Sequence, residues 1–161
     1  AVNPGLIRIQ ADEVTYILHI IIRFEIEKDL FDGKIEIKDL PEVWNEKYKE
    51  YLGVDVPTDT LGVMQDLHWF SQYWGYFHGY AIGDIMSSQI TMALTRDIPE
   101  WHTNLQNGFF SPIREWLRDN IHSKGGLYDS LELIERVTGK PLTTEYFIDY
   151  IKQKFSRIYQ L

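Results

Sequence analysis

Asp12-Glu13-Val14-Thr15-Tyr16-Ile17-Leu18-His19-Ile20-Ile21-Ile22-Arg23-Phe24-Glu25-Ile26-Glu27-Lys28-Asp29 reads as one continuous helical segment with Asp12 at its N-cap. Val14, Ile17, Leu18, Ile21, Phe24 and Ile26 spread an apolar surface too broad for a helix lying on the outside of a protein. Such a helix belongs at the centre of a larger body. Its polar residues Asp12, Tyr16, His19 and Arg23 recur at helical spacing and form one narrow stripe, which is placed to face a site.

Outward from this segment the pattern stays helical. Asp32-Gly33 is a turn, and Ile35 and Ile37 alternate too briefly for more than a short hairpin. Asp39-Leu40-Pro41-Glu42 opens a second helix that runs to about Leu52 and stops at Gly53. Residues 54–75 mix Pro, Thr, Asp and Gly with aromatics and keep no period, so a long structured connection is expected. Helical spacing returns over 80–95, 99–106, 112–122, 127–137 and 143–159. The fold class is therefore all-α, and with no repeat or linker the 161 residues are expected to form a single unit with one core.

Composition excludes several functions. Sixteen Lys and Arg are scattered among twenty-four Asp and Glu, for a net charge of -8, which leaves no basic stripe for nucleic acid. The uncharged stretch 69–83 is aromatic, broken by glycine and too short to span a bilayer. The absence of cysteine rules out a disulfide framework, and Ala1-Val2-Asn3-Pro4-Gly5 carries no feature of a secretory signal. A cytoplasmic compartment is expected.

Three segments concentrate groups able to do chemistry. In Ile7-Arg8-Ile9-Gln10-Ala11-Asp12, the Arg8 fork suits a carboxylate, and Asp12 is placed to orient it; the same two residues also read as an ordinary ion pair at a helix start. In Gly62-Val63-Met64-Gln65-Asp66-Leu67-His68-Trp69, an extended backbone would put Asp66 and His68 on one face. Asp66 or Gln65 could then fix a neighbouring tautomer while His68 donates to an oxyanion, although a buried histidine beside a packing tryptophan fits equally. Tyr73-Trp74-Gly75-Tyr76-Phe77-His78-Gly79-Tyr80 offers phenols as oxyanion donors, or simply core. No two of His19, His68, His78, His102 and His122 stand four apart, so the chain has no H-E-x-x-H motif. P-loop, nucleophile-elbow and dinucleotide signatures are absent too.

Ile7-Arg8-x-x-Ala11-Asp12 together with Gly62-x-x-Gln65-Asp66-x-His68-Trp69 resembles two signature motifs of the carboxypeptidase Taq family of zinc carboxypeptidases. The likeness extends through Leu18-His19-Ile20, Asp39-Leu40-Pro41 to Trp44-Asn45, Gly75-Tyr76-Phe77, Trp116-Leu117 to Ile121-His122 and Thr138-Gly139, with His78 standing where the family generally has proline. The resemblance implies the C-terminal part of a larger helical metallopeptidase fold that removes C-terminal residues from peptides. It implies that zinc is held by an N-terminal portion outside this sequence, that no metal ligand lies on this chain, and that the enzyme is a homodimer. It also implies that Arg8 receives the substrate's terminal carboxylate. His68 then serves the carbonyl region, Tyr80 or failing that Tyr76 the oxyanion, and Asp12, Gln65 and Asp66 stand behind them. The rival reading is a non-catalytic helical module that binds peptide C-termini without zinc.

Overall fold

In the computed structural model, which describes residues 1–161, every regular element is helical. Seven α-helices follow in order: α1 (Tyr16–Phe31), α2 (Leu40–Leu52), α3 (His78–Asp97), α4 (Trp101–Gln106), α5 (Ser111–Asn120), α6 (Ser130–Thr138) and α7 (Glu145–Tyr159). Short 3-10 turns intervene at Arg8–Gln10, Ile37–Asp39, Asp59–Leu61 and His122–Lys124. No strand forms at Ile35 and Ile37. Instead Glu36 and Asp39 exchange side-chain and backbone hydrogen bonds in a capping box that winds the chain into α2. No helix is long and apolar enough to cross a membrane.

Two compact units, Ala1–Ala81 and Ile82–Leu161, gather separate apolar clusters, where composition alone suggested one core. The physical reason is visible in the pattern: residues 54–75 fold back with α1 and α2, while the later helices hold enough apolar surface to cluster on their own.

In the first unit, α1 is central as its width required. Ile20, Ile22 and Ile26 are buried, and they share their environment with the buried polar residues His19, Arg23 and Glu27. The helix starts at Tyr16 rather than Asp12. The Asp12 carboxylate accepts from the amides of Val14 and Thr15, both at 3.0 Å, and so closes a turn ahead of the helix, while its carbonyl accepts from the Tyr16 amide. α2 packs Leu40, Trp44, Tyr48 and Leu52 onto Ile22 and Ile26, a spacing of four that keeps one face inward. Pro41 sits in its first turn, where its missing N–H costs nothing, and Gly53 ends it at φ 69°.

In the second unit, Ala93, Leu94 and Trp116 form the buried cluster, with Ile90, Ile98, Ile113 and Leu117 packed around it. Gln89 ties this unit together. Its amide nitrogen donates to Thr138 Oγ1 and the carbonyls of Lys140 and Pro141, and its oxygen accepts from the Thr143 amide at 3.1 Å. A fully buried amide bonded at both its nitrogen and its oxygen fixes the connection between α6 and α7 on α3. α6 is capped by Asp129, whose carboxylate accepts from the Glu132 amide at 2.9 Å, and it ends at Gly139.

Candidate functional site

All the sequence-nominated residues lie in the first unit, where Arg8 meets the Asp66 carboxylate with Gln65 and His68 beside the pair. Asp66 Oδ1 accepts from Arg8 Nε at 3.1 Å and Arg8 Nη2 at 2.8 Å; Asp66 Oδ2 accepts from Arg23 Nε at 2.5 Å. Only 7% of Asp66 and 7% of Arg8 is exposed, and Arg23 is fully buried. Burial alone pushes the Asp66 carboxyl up, but the Arg8 hydrogen bonds and the Arg23 charge outweigh it and hold it below the usual carboxylate range.

Gln65 completes the frame. Its Oε1 accepts from the Arg8 backbone N–H and from Arg23 Nη2, both at 3.0 Å, and its Nε2 donates to the carbonyls of Leu6 and Leu61. Arg23 in turn donates from Nη1 to the His19 carbonyl at 2.7 Å and from Nη2 to the Tyr48 hydroxyl at 3.3 Å. Its guanidinium lies over the Trp44 ring at 4.6 Å. His19 Nδ1 and the Tyr48 hydroxyl share a hydrogen bond at 3.0 Å. Burial, reinforced by Arg23 and Arg8, lowers His19 to about 4, so its imidazole is neutral at pH 7.

His68 stands beside this cluster with Phe77 at 4.5 Å between ring centroids. Its Nε2 shares a hydrogen bond of 3.2 Å with the Tyr80 hydroxyl, and its Nδ1 is buried without a hydrogen-bond partner. Burial, then the two arginine charges, outweigh the nearby Asp66 and lower the His68 pKa, which keeps it neutral at pH 7. The Tyr80 ring faces the Arg8 guanidinium at 5.4 Å and meets Tyr76 edge-on at 5.4 Å; burial and then Tyr76 raise its phenol above the ordinary range. Tyr76 is half exposed.

Two of the expected pairings are different in the structure. Asp12 does not orient Arg8: its carboxylate is taken by the amides of Asn3, Val14 and Thr15 and by the Thr15 hydroxyl, because it closes the turn into α1. Asp66 holds the arginine instead. Nor does Asp66 fix the His68 tautomer, since Oδ1 lies 3.8 Å from Nδ1 and is already occupied by two Arg8 donors. Sequence reasoning placed Arg23 on the polar stripe of α1 but did not nominate it, and it missed Tyr48 and Glu27. A lone arginine inside an isoleucine-rich helix was the available signal. Glu27, buried on α1, accepts from Trp69 Nε1 at 2.8 Å, and so fastens the turn that leads from His68 toward Tyr80.

Gly62 has a steric reason to be glycine. A Cβ there would meet Val56 Cγ1 at 2.7 Å and the Thr58 carbonyl at 3.2 Å, while Gln65 and Asp66 follow within one turn. Gly62→Ala is expected to lower unfolding free energy by about 1–3 kcal/mol. Urea titration checks this; a variant as stable as wild type would show that the loop can shift freely.

No group of three or more His, Asp or Glu side chains stands close enough to share a metal ion. The one carboxylate near His68 is neutralised by two guanidinium groups, an environment that repels a cation. The residues of this chain do not by themselves fit a metal.

A buried arginine frame beside a histidine and phenols thus stands on an all-helical scaffold. The family model described as carboxypeptidase Taq (M32) metallopeptidase matches residues 1–155, and the chain belongs to that family. It is 43% identical over 159 residues to carboxypeptidase 1 of Bacillus subtilis, covering 99% of this chain and 32% of that protein. Against thermostable carboxypeptidase 1 of Thermus thermophilus it is 40% identical over 159 residues, covering 99% of this chain and 31% of that protein. The solved M32 carboxypeptidase from Deinococcus radiodurans R1 superposes with a TM-score of 0.94 at 37% identity, over 99% of this chain and 32% of that one. The chain thus spans about a third of the length of the curated relatives it matches.

Proposed function

We propose that this chain supplies the C-terminal, substrate-binding part of a zinc metallocarboxypeptidase that releases C-terminal residues from peptides. The observation that carries the reading is the charge balance of the buried site: two guanidinium groups, Arg8 and Arg23, share the single carboxylate of Asp66. The site is left with one positive charge in excess, and a peptide's terminal carboxylate would balance it. The geometry supports Arg8 as the receptor. Its Nε and Nη2 are committed to Asp66, whereas Nη1 has only the Tyr16 hydroxyl at 3.4 Å, so the edge formed by the two terminal nitrogens is the one a carboxylate would meet.

With the carboxylate on Arg8, the scissile carbonyl lies toward Tyr80 and His68. Tyr80, with Tyr76 beside it as the alternative, donates to the oxyanion, and His68 orients the Tyr80 hydroxyl and faces the carbonyl region. Gln65 and Asp66 hold Arg8, and Asp12 serves only through the turn into α1. Zinc, carried by the N-terminal portion of the enzyme, would be the Lewis acid of the complete site. The family resemblance extends the proposal to a homodimer working in the cytoplasm.

Calorimetry with a peptide and its C-terminal amide tests the receptor assignment. The chain is expected to prefer the acid, and Arg8→Ala to abolish that preference, at a loss of about 1.5–3 kcal/mol. Equal binding of acid and amide by the wild-type chain would refute the assignment.

A further inference from the structure

We propose that Arg23, buried behind Asp66, is a positioning residue that acts through Asp66 to keep Arg8 incompletely neutralised, so that the site attracts a terminal carboxylate. The inference rests on the reading of Arg8 as the carboxylate receptor. Two relays connect the arginines. Through Asp66, Arg23 Nε fixes Oδ2 at 2.5 Å, and this sets the plane in which Oδ1 receives Arg8 Nε and Nη2. Through Gln65, Arg23 Nη2 and the Arg8 backbone N–H bond the same Oε1, so the side chain and the main chain of Arg8 are both referred to one buried group.

Arg23 is itself immobile. It is fully buried, its nitrogens are answered by Asp66, His19, Tyr48 and Gln65, and Trp44 lies under its guanidinium. Electrostatics add a second role. Were Asp66 paired with Arg8 alone, the pair would be neutral, and an incoming carboxylate would meet repulsion from Asp66 nearly equal to the attraction of Arg8. Arg23 cancels that repulsion. At an effective dielectric near 20, a unit charge several ångströms away is worth roughly a factor of ten in affinity, or more.

The charge role separates from the scaffold role by the chemistry of the replacement. Arg23→Met removes the charge, and Arg23→Lys keeps it while losing the fork. Both variants are expected to melt below wild type, because both leave partners of Arg23 unanswered. The readout is the ratio of affinities for a peptide acid and its amide, measured by calorimetry on the 161-residue chain. Arg23→Met is expected to lower this ratio by about tenfold or more, and Arg23→Lys to stay within about threefold of wild type.

A methionine variant that keeps the wild-type ratio, or a lysine variant that falls as far as methionine, overturns the proposal while leaving the Arg8 assignment intact. A wild-type chain with no preference for the acid overturns the Arg8 assignment and this inference together. If the methionine variant does not fold, the folded lysine variant still decides: a tenfold loss there contradicts a role carried by charge.

Discussion

Asp66→Asn is expected to cost about 3–5 kcal/mol of stability, because it leaves two buried guanidinium groups with one neutral amide between them. The amide oxygen can answer either Arg8 or Arg23, and the amide nitrogen then points donor to donor at the other. Surface ion pairs such as Lys34 with Asp29 carry no such penalty, since water takes over when they break. The loss also has a pH signature. Despite burial, the two arginines hold the folded Asp66 pKa below its unfolded value, near 4. Its contribution is therefore fully present above about pH 4 and is lost as pH falls through the folded pKa. Urea unfolding across that range should show wild-type stability declining with acid, and Asp66→Asn declining less steeply. Parallel slopes would mean that Asp66 is not the linked group.

Trp44→Ala is the second large effect, at about 3–5 kcal/mol. Trp44 is fully buried, stacks on Tyr48 with ring centroids 4.9 Å apart, meets Trp69 edge-on and lies under Arg23. Its removal would open a cavity at the junction of α1, α2 and the loop that carries Gln65 and Asp66. Trp44→Phe should cost less than half as much, because it keeps an aromatic ring and deletes an indole N–H that has no hydrogen-bond partner. Chemical denaturation of both variants tests this ordering, and an alanine variant as stable as the phenylalanine one would place the core elsewhere.

The helices were legible because their ends are written locally. Pro41 in the first turn and Gly53 past the last delimit α2, whereas the Asp129 cap starts α6 at Ser130, past the expected 127. The start of α1 was harder to read, since an aspartate can cap a helix or close the turn before it, and only the backbone shows which. The signature residues Arg8, Gln65, Asp66 and His68 do come together, along with Tyr80. The partner of Arg8 was misread because helical spacing favours a residue four positions away, whereas the carboxylate that binds it arrives from 58 residues on. Arg23, Tyr48 and Glu27 escaped for a related reason. Their roles depend on a loop folding back onto α1, and a single sequence carries no record of that approach.

In the proposed enzyme this chain brings the carboxylate receptor to an active site whose metal-binding portion lies elsewhere. The most direct measurement mixes the purified chain with the remaining portion of a family enzyme, loaded with zinc, and follows release of the C-terminal residue from a peptide. The expected result is a complex that releases the residue with wild-type chain and fails to do so with Arg8→Ala. A stable, zinc-loaded complex that releases nothing, while the chain alone still prefers peptide acids, would contradict the claim and identify a binding module instead.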